Sequence, residues 1–204
     1  MKEWQLARGI QVPHLEGIHE CYEMNTQDTF TAFTVNISAE NIETVLRDFI
    51  DQLEEPGFFL LEVPTNAAAE KELRQKDTDP FHCDVYYQDG CSRQQLHQFL
   101  DNWGALLIHD GISCFGFASH TSRDEIYLGK YKVTTIFTPD SSRYQTFLAG
   151  LGIPQEEKIK TVWQNFTRQA PGQADRIEVD GQTVYEMVEE LKQSGLYLAE
   201  RRNQ

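Results

Sequence analysis

The stretch that decides the fold comprises residues 112–138, which have the sequence ISCFGFASHTSRDEIYLGKYKVTTIFT. Two strands are predicted within it, at 112–119 and 126–138, because both parts are rich in β-branched and aromatic residues. The residues between them are too few for a crossover helix, so the two strands are expected to pair antiparallel. Gly129-Lys130 inside the second predicted strand indicates a bulge or a tight turn.

Helices are predicted on both sides of this stretch. The clearest covers about 92–108, after a Ser92 N-cap, and places an apolar stripe on one face: Leu96, Phe99, Leu100, Trp103, Leu106 and Leu107. A second stripe predicts a helix around Ile159, Val162, Trp163 and Phe166. Further strands are predicted at 29–36, 58–63 and 82–87, and further helices at 39–54, 66–76, 141–151 and 185–193.

These elements predict an α+β protein with a mixed or mainly antiparallel sheet and helices packed on it. Residues 1–204 contain no linker-like stretch, so a single domain is expected, with 1–28 as a loosely ordered N-terminal segment. The size scaling of proteins predicts that a chain of this length buries about 70% of its surface. Such a core needs neither disulfides nor metal for stability.

The charge is strongly acidic and uneven. The chain has 18 Lys and Arg against 32 Asp and Glu, a formal net charge of −14, and residues 1–102 contain 7 basic and 19 acidic side chains. Because nucleic-acid binding requires a positive footprint, the sequence predicts no nucleic-acid partner. An acidic surface complements a basic protein partner.

Compartment and processing follow from what the sequence lacks. No apolar stretch approaches the roughly 20 residues of a membrane-spanning helix, so no membrane partner is expected. There is no secretory signal, and the four cysteines are too few for a disulfide scaffold, so a cytoplasmic protein with free thiols is expected. The oligomeric state is left open.

Phosphate-cradling and hydrolase-elbow motifs are absent from the chain. An enzyme remains as the alternative hypothesis, either a hydrolase or a metal-dependent enzyme, with catalytic groups between positions 82 and 125. Its candidates are His82, Asp84, His109, His120 and Asp124, and Cys114 could pair with a histidine as a nucleophile. A small-ligand-binding module is the second alternative.

The spacing of Cys83, Cys91 and His97 matches no zinc motif, so neither a metal nor a cofactor is expected. Cys114 lies within an apolar strand, where a thiol stays protonated. His109 is equally well explained as a cation at a helix C-terminus. His19 and Cys21 belong to a segment without periodicity, which is interpreted as exposed and irregular.

The binding hypothesis centres on the acidic segment around the predicted strand 82–87. Tyr86 and Asp84 share one face of that strand, and Asp79 and Asp89 flank it. Because tyrosines are enriched at interface hot spots, we expect Asp79, Asp84, Tyr86 and Asp89 to form a surface that binds a basic protein. No catalytic residues are assigned under this hypothesis.

The segment HDGISCFGFASHTSRDEIYLGKYKVTTIF, followed by a helical segment, WQNF at 163–166 and PG at 171–172, resembles small bacterial cytosolic proteins. Some of these are similar to immunity proteins encoded beside polymorphic toxins. The resemblance covers roughly residues 80–172. It implies a non-enzymatic protein that binds and blocks a toxin domain.

Overall fold

The computed structural model describes residues 4–204, which form five helices and ten strands. The strands are β1 (Ile10–Gln11), β2 (Cys21–Thr26), β3 (Thr31–Asn36), β4 (Gly57–Pro64), β5 (His82–Cys91), β6 (Cys114–Ser119), β7 (Glu125–Leu128), β8 (Thr134–Thr138), β9 (Gln173–Ala174) and β10 (Tyr197–Asn203). The helices are α1 (Ala39–Gln52), α2 (Ala67–Leu73), α3 (Arg93–His109), α4 (Ser141–Gly150) and α5 (Val184–Lys192).

Eight strands form one antiparallel sheet in the order β10-β5-β4-β6-β7-β8-β3-β2, and β1 pairs separately with β9. The helices pack against this sheet, which confirms the predicted α+β fold. Strands β6, β7 and β8 are consecutive both in the chain and in the sheet. The short connections of the 112–138 stretch therefore set the antiparallel pairing at the centre of the fold.

The predicted strand 126–138 is two strands. A 3-10 turn at Lys130–Lys132 separates β7 from β8, and Ile126 then pairs with Ile136. Tyr131 and Lys132 both have a left-handed backbone, with φ of 59° and 57°. Such angles are uncommon for residues with a side chain. The turn that Gly129-Lys130 indicated is therefore present, but its left-handed residues are the two that follow.

Helix α3 agrees with its prediction. Ser92 and Gln95 form a capping box at its start, and every residue of the predicted stripe from Leu96 to Leu107 is buried. The helix packs mainly against α1 and contacts the sheet through β4, β5 and β6. None of the helices within residues 4–204 combines the length and the apolar run needed to cross a membrane.

The prediction of a helix around Ile159–Phe166 is wrong. Only a 3-10 turn forms, at Val162–Asn165, and Trp163 has 43% of its surface exposed instead of lying in the core. The backbone N–H of Ile159 donates to the Glu23 carboxylate, so this segment is held by β2 and not by helical hydrogen bonds. Trp163 and Phe166 pack edge to face with Tyr131, so part of the apolar stripe is covered by the turn between β7 and β8.

Two strands of the eight-stranded sheet had no sequence prediction, and neither had the short pair β1 and β9. Residues 21–26, within the segment expected to be loosely ordered, form β2 and pair with β3 over six positions. Residues 197–203 form β10, an edge strand whose residues are all exposed. An edge strand with water on both sides lacks the alternation that identifies a half-buried strand.

Candidate functional site

The two faces of the sheet have different neighbours. In β4, Phe59 and Leu61 point into the main core, which also contains residues of α1, α3 and α5. Phe58 and Leu60 point to the opposite side, and the hydrophobic cluster there consists, for residues 4–204, of strand residues alone. We refer to this second side of the sheet as the open face.

Five residues form an aromatic platform on the open face. Phe58, Leu60 and Ala118 are its buried centre, and the partly exposed Tyr87 and Tyr127 pack against them. The rings of Phe58 and Tyr87 are 5.8 Å apart and tilted by 45°. The platform thus presents two tyrosine side chains to solvent, supported by the four neighbouring strands β5, β4, β6 and β7.

Gly116 lies at the middle of the platform, paired with Leu60 on one side and with Tyr127 on the other. A Cβ atom at this position would lie 2.4 Å from the backbone oxygen of Ile126. Only glycine fits without moving a neighbouring strand. Gly116 is itself buried, so strands β6 and β7 approach each other closely beneath the two tyrosines.

Carboxylates border the platform on the same face. Arg202 of β10 forms an ion pair of 2.5 Å with Glu62 of β4. Burial raises the pKa of Glu125 on β7, and the nearby charge of Glu62 raises it further. Arg202 offsets the charge of Glu62, and the two carboxylates lie close enough to repel each other.

His120 extends the rim of the open face. Its ring stacks on Phe58 at 4.5 Å while 79% of its side chain remains exposed. Its Nε2 lies 3.8 Å from the Asp89 carboxylate, which also accepts a 2.5 Å hydrogen bond from the Tyr197 hydroxyl. Asp89, one of the four predicted binding residues, therefore lies beside the platform.

Asp84 and Tyr86 do share a strand face, but that face is the inner one. Both side chains are buried, at 3% and 5% exposure. The Tyr86 hydroxyl donates to Asp84, and Arg201 binds the same carboxylate through two nitrogens at 2.5 and 2.9 Å. The expectation that these two residues form part of a surface is therefore wrong, because strand parity turns them beneath the helices.

Asp79 lies in the loop before β5, at the opposite end of that strand from Asp89. Its carboxylate accepts hydrogen bonds from the backbone N–H groups of Gln75 and Lys76, and its carbonyl accepts one from Arg74. This residue closes a local turn. The structure thus separates the four predicted binding residues into a buried pair, a turn and a rim position.

The histidines proposed for an enzyme have separate surroundings. His82 contacts Glu70 at 3.1 Å, whereas the Nδ1 of His109 accepts a hydrogen bond from the Arg8 backbone N–H. Burial lowers the pKa of His109, and nearby Arg8 and Lys132 lower it further. The lowered pKa and the hydrogen bond accepted by Nδ1 both favour the neutral imidazole, which disagrees with the interpretation of His109 as a helix-end cation.

Asp124 is fully occupied by structural contacts. Its two carboxylate oxygens accept hydrogen bonds from Thr138, at 2.6 Å, and from Arg143, at 3.0 Å. Arg143 also donates to the backbone oxygen of Gln52 at the end of α1. Asp124 therefore joins the sheet to α4 and α1, while His120, from the same loop, faces the opposite side of the sheet.

The thiols are free and weakly nucleophilic. All four cysteines are unpaired, and burial raises the pKa of Cys83 and of Cys91 to about 11. Burial also raises the pKa of Cys114, although nearby Lys132 acts in the opposite direction. A protonated thiol is a poor nucleophile, so these positions give no support to a thiol enzyme. Cys83 lies half-buried on the open face and not in the core.

A buried lysine lies beneath the end of α3. Lys132 is 6% exposed, and its ammonium donates to the backbone oxygens of Leu107 and Ser113 at 2.8 Å each. Burial lowers its pKa from 10.5 to about 8. Two carbonyls hold the ammonium in place, so Lys132 has a structural role at the unusual turn between β7 and β8.

The lowered pKa predicts a pH dependence of stability. Between pH 8 and 10.5 the folded protein loses the Lys132 proton while the unfolded chain keeps it, so the unfolding free energy should rise with pH. We expect a rise of about 1–3 kcal/mol relative to Lys132→Met, measured by urea unfolding at several pH values. The matched control is Lys130→Met, an exposed lysine in the same turn that should leave the pH profile unchanged. A wild-type profile parallel to that of Lys132→Met would contradict this prediction.

Two open clefts lie away from the open face. One, of about 770 Å³, lies between α1 and α4 and is lined by Asp48, Asp51, Asp140 and Arg143 among others. The other, of about 610 Å³, lies beside α2. Both are shallow grooves that are widely open to solvent, whereas small-molecule sites are usually concave and enclose most of the ligand. They give little support to the small-ligand alternative.

No protein-family model, curated protein or solved structure matches the chain. A function must therefore be argued from the structure itself, and the open face is the feature that supports one. Sequence reasoning missed its platform, although a signal was present: positions 58–61 are apolar on both faces of the strand, and only one face is used by the core.

Proposed function

We propose that this chain is a non-catalytic, cytoplasmic protein-binding protein whose open face docks a basic protein partner. The sharpest form of the proposal is an immunity protein that neutralises a toxin domain. The observation that carries it is the aromatic platform bordered by Glu62 and Glu125, on a sheet face whose hydrophobic cluster contains no helix residue within positions 4–204.

The platform has the composition of an interface centre. Tyrosines supply large contact areas and hydrogen-bonding hydroxyls, and they are enriched among the residues that dominate binding energy. Tyr87 and Tyr127 are partly exposed on buried neighbours that fix their position. Less side-chain freedom is lost on binding when the anchors are already held in this way.

Charge selects the class of partner. The net charge of −14 over the whole chain attracts a basic protein from a distance. At the contact, this partner meets the carboxylates of Glu62 and Glu125, which border the platform. Phosphate groups are repelled by the same field, which argues against a nucleic acid. A basic toxin domain fits this charge pattern, as the resemblance of residues 80–172 implies.

The proposal can be tested by placing a photo-crosslinking amino acid at Phe137, which lies on the open face beside Glu125. The matched control carries it at Gln94, an exposed position on α3. In the producing cell, we expect a basic protein to crosslink from position 137 and not from position 94. Crosslinking from position 94 alone would place the binding surface on the helical side.

Once a partner is crosslinked, Tyr127→Ala should weaken binding by about 30-fold, the effect of losing a hot spot of about 2 kcal/mol. Isothermal titration calorimetry measures this change. Phe81→Ala is the control, since Phe81 is 56% exposed and lies outside the platform. Equal affinities of the wild type and a folded Tyr127→Ala variant would contradict the proposed role of the platform.

A further inference from the structure

Three side chains of metal-ligand type meet next to the edge strand β2. His19, Cys21 and Glu156 each offer one ligand atom, and these three atoms lie within 4.8 Å of one another. The Nε2 of His19 is 2.7 Å from a carboxylate oxygen of Glu156. Within residues 4–204 this is the one group of three or more such residues with this geometry.

The backbone holds the two parts of this group together. The N–H of Tyr22 donates to the Pro154 carbonyl at 3.0 Å, and the N–H of Glu156 donates to the Tyr22 carbonyl at 2.8 Å. Glu156 is therefore fixed to the residue that follows Cys21. Ligands that are held before a metal arrives lose less conformational freedom on binding it.

The thiol of Cys21 donates to the His19 carbonyl at 3.4 Å, and burial together with the nearby charge of Glu156 raises its pKa to about 11, so a metal ion has to displace its proton. Cys21 is completely buried, and the Asn36 side-chain amide lies 3.9 Å from its sulfur. Asn36 also donates to the Lys160 carbonyl at 2.9 Å, which fixes the direction of the amide. Hydrogen bonds to ligating side chains are a regular feature of metal sites.

We propose that His19, Cys21 and Glu156 bind a zinc ion, with a water molecule at the fourth position. A sulfur, a nitrogen and an oxygen donor form a ligand set that suits Zn²⁺. Tetrahedral coordination at about 2.0–2.3 Å separates ligand atoms by about 3.3–3.6 Å, so small side-chain rotations would bring these three into place. The side chains of His19 and Glu156 are 55% and 38% exposed, which leaves a path for the ion.

This site departs from the sequence-based expectation of no metal. That expectation rested on the spacing of the cysteines and histidine between positions 83 and 97 and on the interpretation of His19 and Cys21 as exposed and irregular. The second interpretation is wrong for Cys21, which is completely buried at the start of β2, and two of the proposed ligands lie in this N-terminal segment. The third lies after α4 and reaches them only through the pairing of Tyr22 with residues 154–156. This metal site is independent of the function proposed for the open face. Its tests use the purified chain and need no partner protein.

Cobalt substitution tests the proposal on the full chain. The purified protein is stripped with a chelator and titrated with Co²⁺ alone, and the near-ultraviolet sulfur-to-cobalt charge-transfer band and the visible ligand-field bands are recorded. We expect saturation at one equivalent, the band intensity of a four-coordinate site, and displacement by Zn²⁺. Absence of the charge-transfer band in the wild type would overturn the proposal.

Three variants assign the ligands. Cys21→Ser should abolish the charge-transfer band, and His19→Ala and Glu156→Gln should each weaken Zn²⁺ binding by about tenfold or more. His14→Ala and Glu157→Gln are matched controls, because they are neighbouring residues of the same types outside the cluster, and both should bind as the wild type does. Far-ultraviolet circular dichroism verifies that each variant folds. A band that survives in Cys21→Ser, or unchanged affinity in both His19→Ala and Glu156→Gln, would overturn the assignment.

Discussion

Replacing Phe59 by alanine is expected to lower the free energy of unfolding by about 3–5 kcal/mol, which is a large part of a typical domain's stability. Phe59 is completely buried in β4, an interior strand of the sheet between β5 and β6. Its ring stacks on Phe99 of α3 at 4.6 Å and contacts Phe117 of β6 at 5.6 Å. Truncation would open a cavity between the sheet and its longest helix.

Chemical denaturation followed by circular dichroism measures this loss. Phe81→Ala serves as the control, since an exposed phenylalanine contributes far less and its truncation should change stability by about 1 kcal/mol or less. If Phe59→Ala and Phe81→Ala had similar midpoints and similar slopes, Phe59 could not occupy the core position described above.

The second large effect is expected at the buried ion pair that joins β5 to β10. Replacing Arg201 by alanine leaves the Asp84 carboxylate buried without its cation, which should lower the unfolding free energy by about 2–4 kcal/mol. This value lies below the usual cost of breaking a buried pair, because Arg201 is 30% exposed and Thr65 still donates to Asp84 at 2.6 Å. The exposed edge strand thus owes its attachment partly to a buried charge.

This ion pair also predicts an acid-sensitive step. Burial by itself raises the pKa of Asp84, but hydrogen bonds from Arg201 and Thr65 outweigh it and hold the pKa below the ordinary 3.8. The stabilisation is therefore present above the unfolded-state pKa of about 3.9 and is lost as pH falls through the lower folded-state value. Arg201→Ala should reduce this loss, since its stability no longer contains the ion pair.

Arg202→Ala is the matched control for Arg201→Ala. Arg202 is the next residue of β10, and it pairs with Glu62 on the open face with 47% of its side chain exposed. Exposed pairs contribute about 0–1 kcal/mol, so its removal should cost correspondingly little. Equal losses in the two variants would show that β10 is held by its backbone pairing and not by the buried pair.

Much of the fold could be predicted because it depends on local patterns. The apolar stripe of α3 and its Ser92 cap were sufficient to place that helix, and the alternation at 31–36 was sufficient for β3. The prediction was wrong at Ile159–Phe166, where an equally regular stripe forms only a 3-10 turn and the Ile159 backbone N–H donates to Glu23 of β2. A stripe identifies an apolar face but not the surface that covers it.

The candidate site was less predictable than the fold. Tyr86 and Tyr87 are neighbours of the same type, yet Tyr86 lies in the core and Tyr87 lies on the open face. The sequence placed Tyr86 and Asp84 on one side of the strand correctly, but it contained no information on which side the helices would occupy. That choice depends on how the helices pack on the sheet: α3 follows β5 directly, but α1 and α5, which complete the same core, are remote from β5 in the chain.

The sequence by itself determined an acidic α+β protein, the antiparallel pairing around residues 112–138, and the apolar stripe by which α3 packs. Each of these follows from spacing over a few residues or from composition. Only the tertiary structure decided that one face of the sheet stays open, that Asp84 binds Arg201 from the edge strand, and that His19 and Cys21 meet Glu156. These contacts join residues separated by more than a hundred positions or depend on which face the helices cover, and no local pattern encodes either.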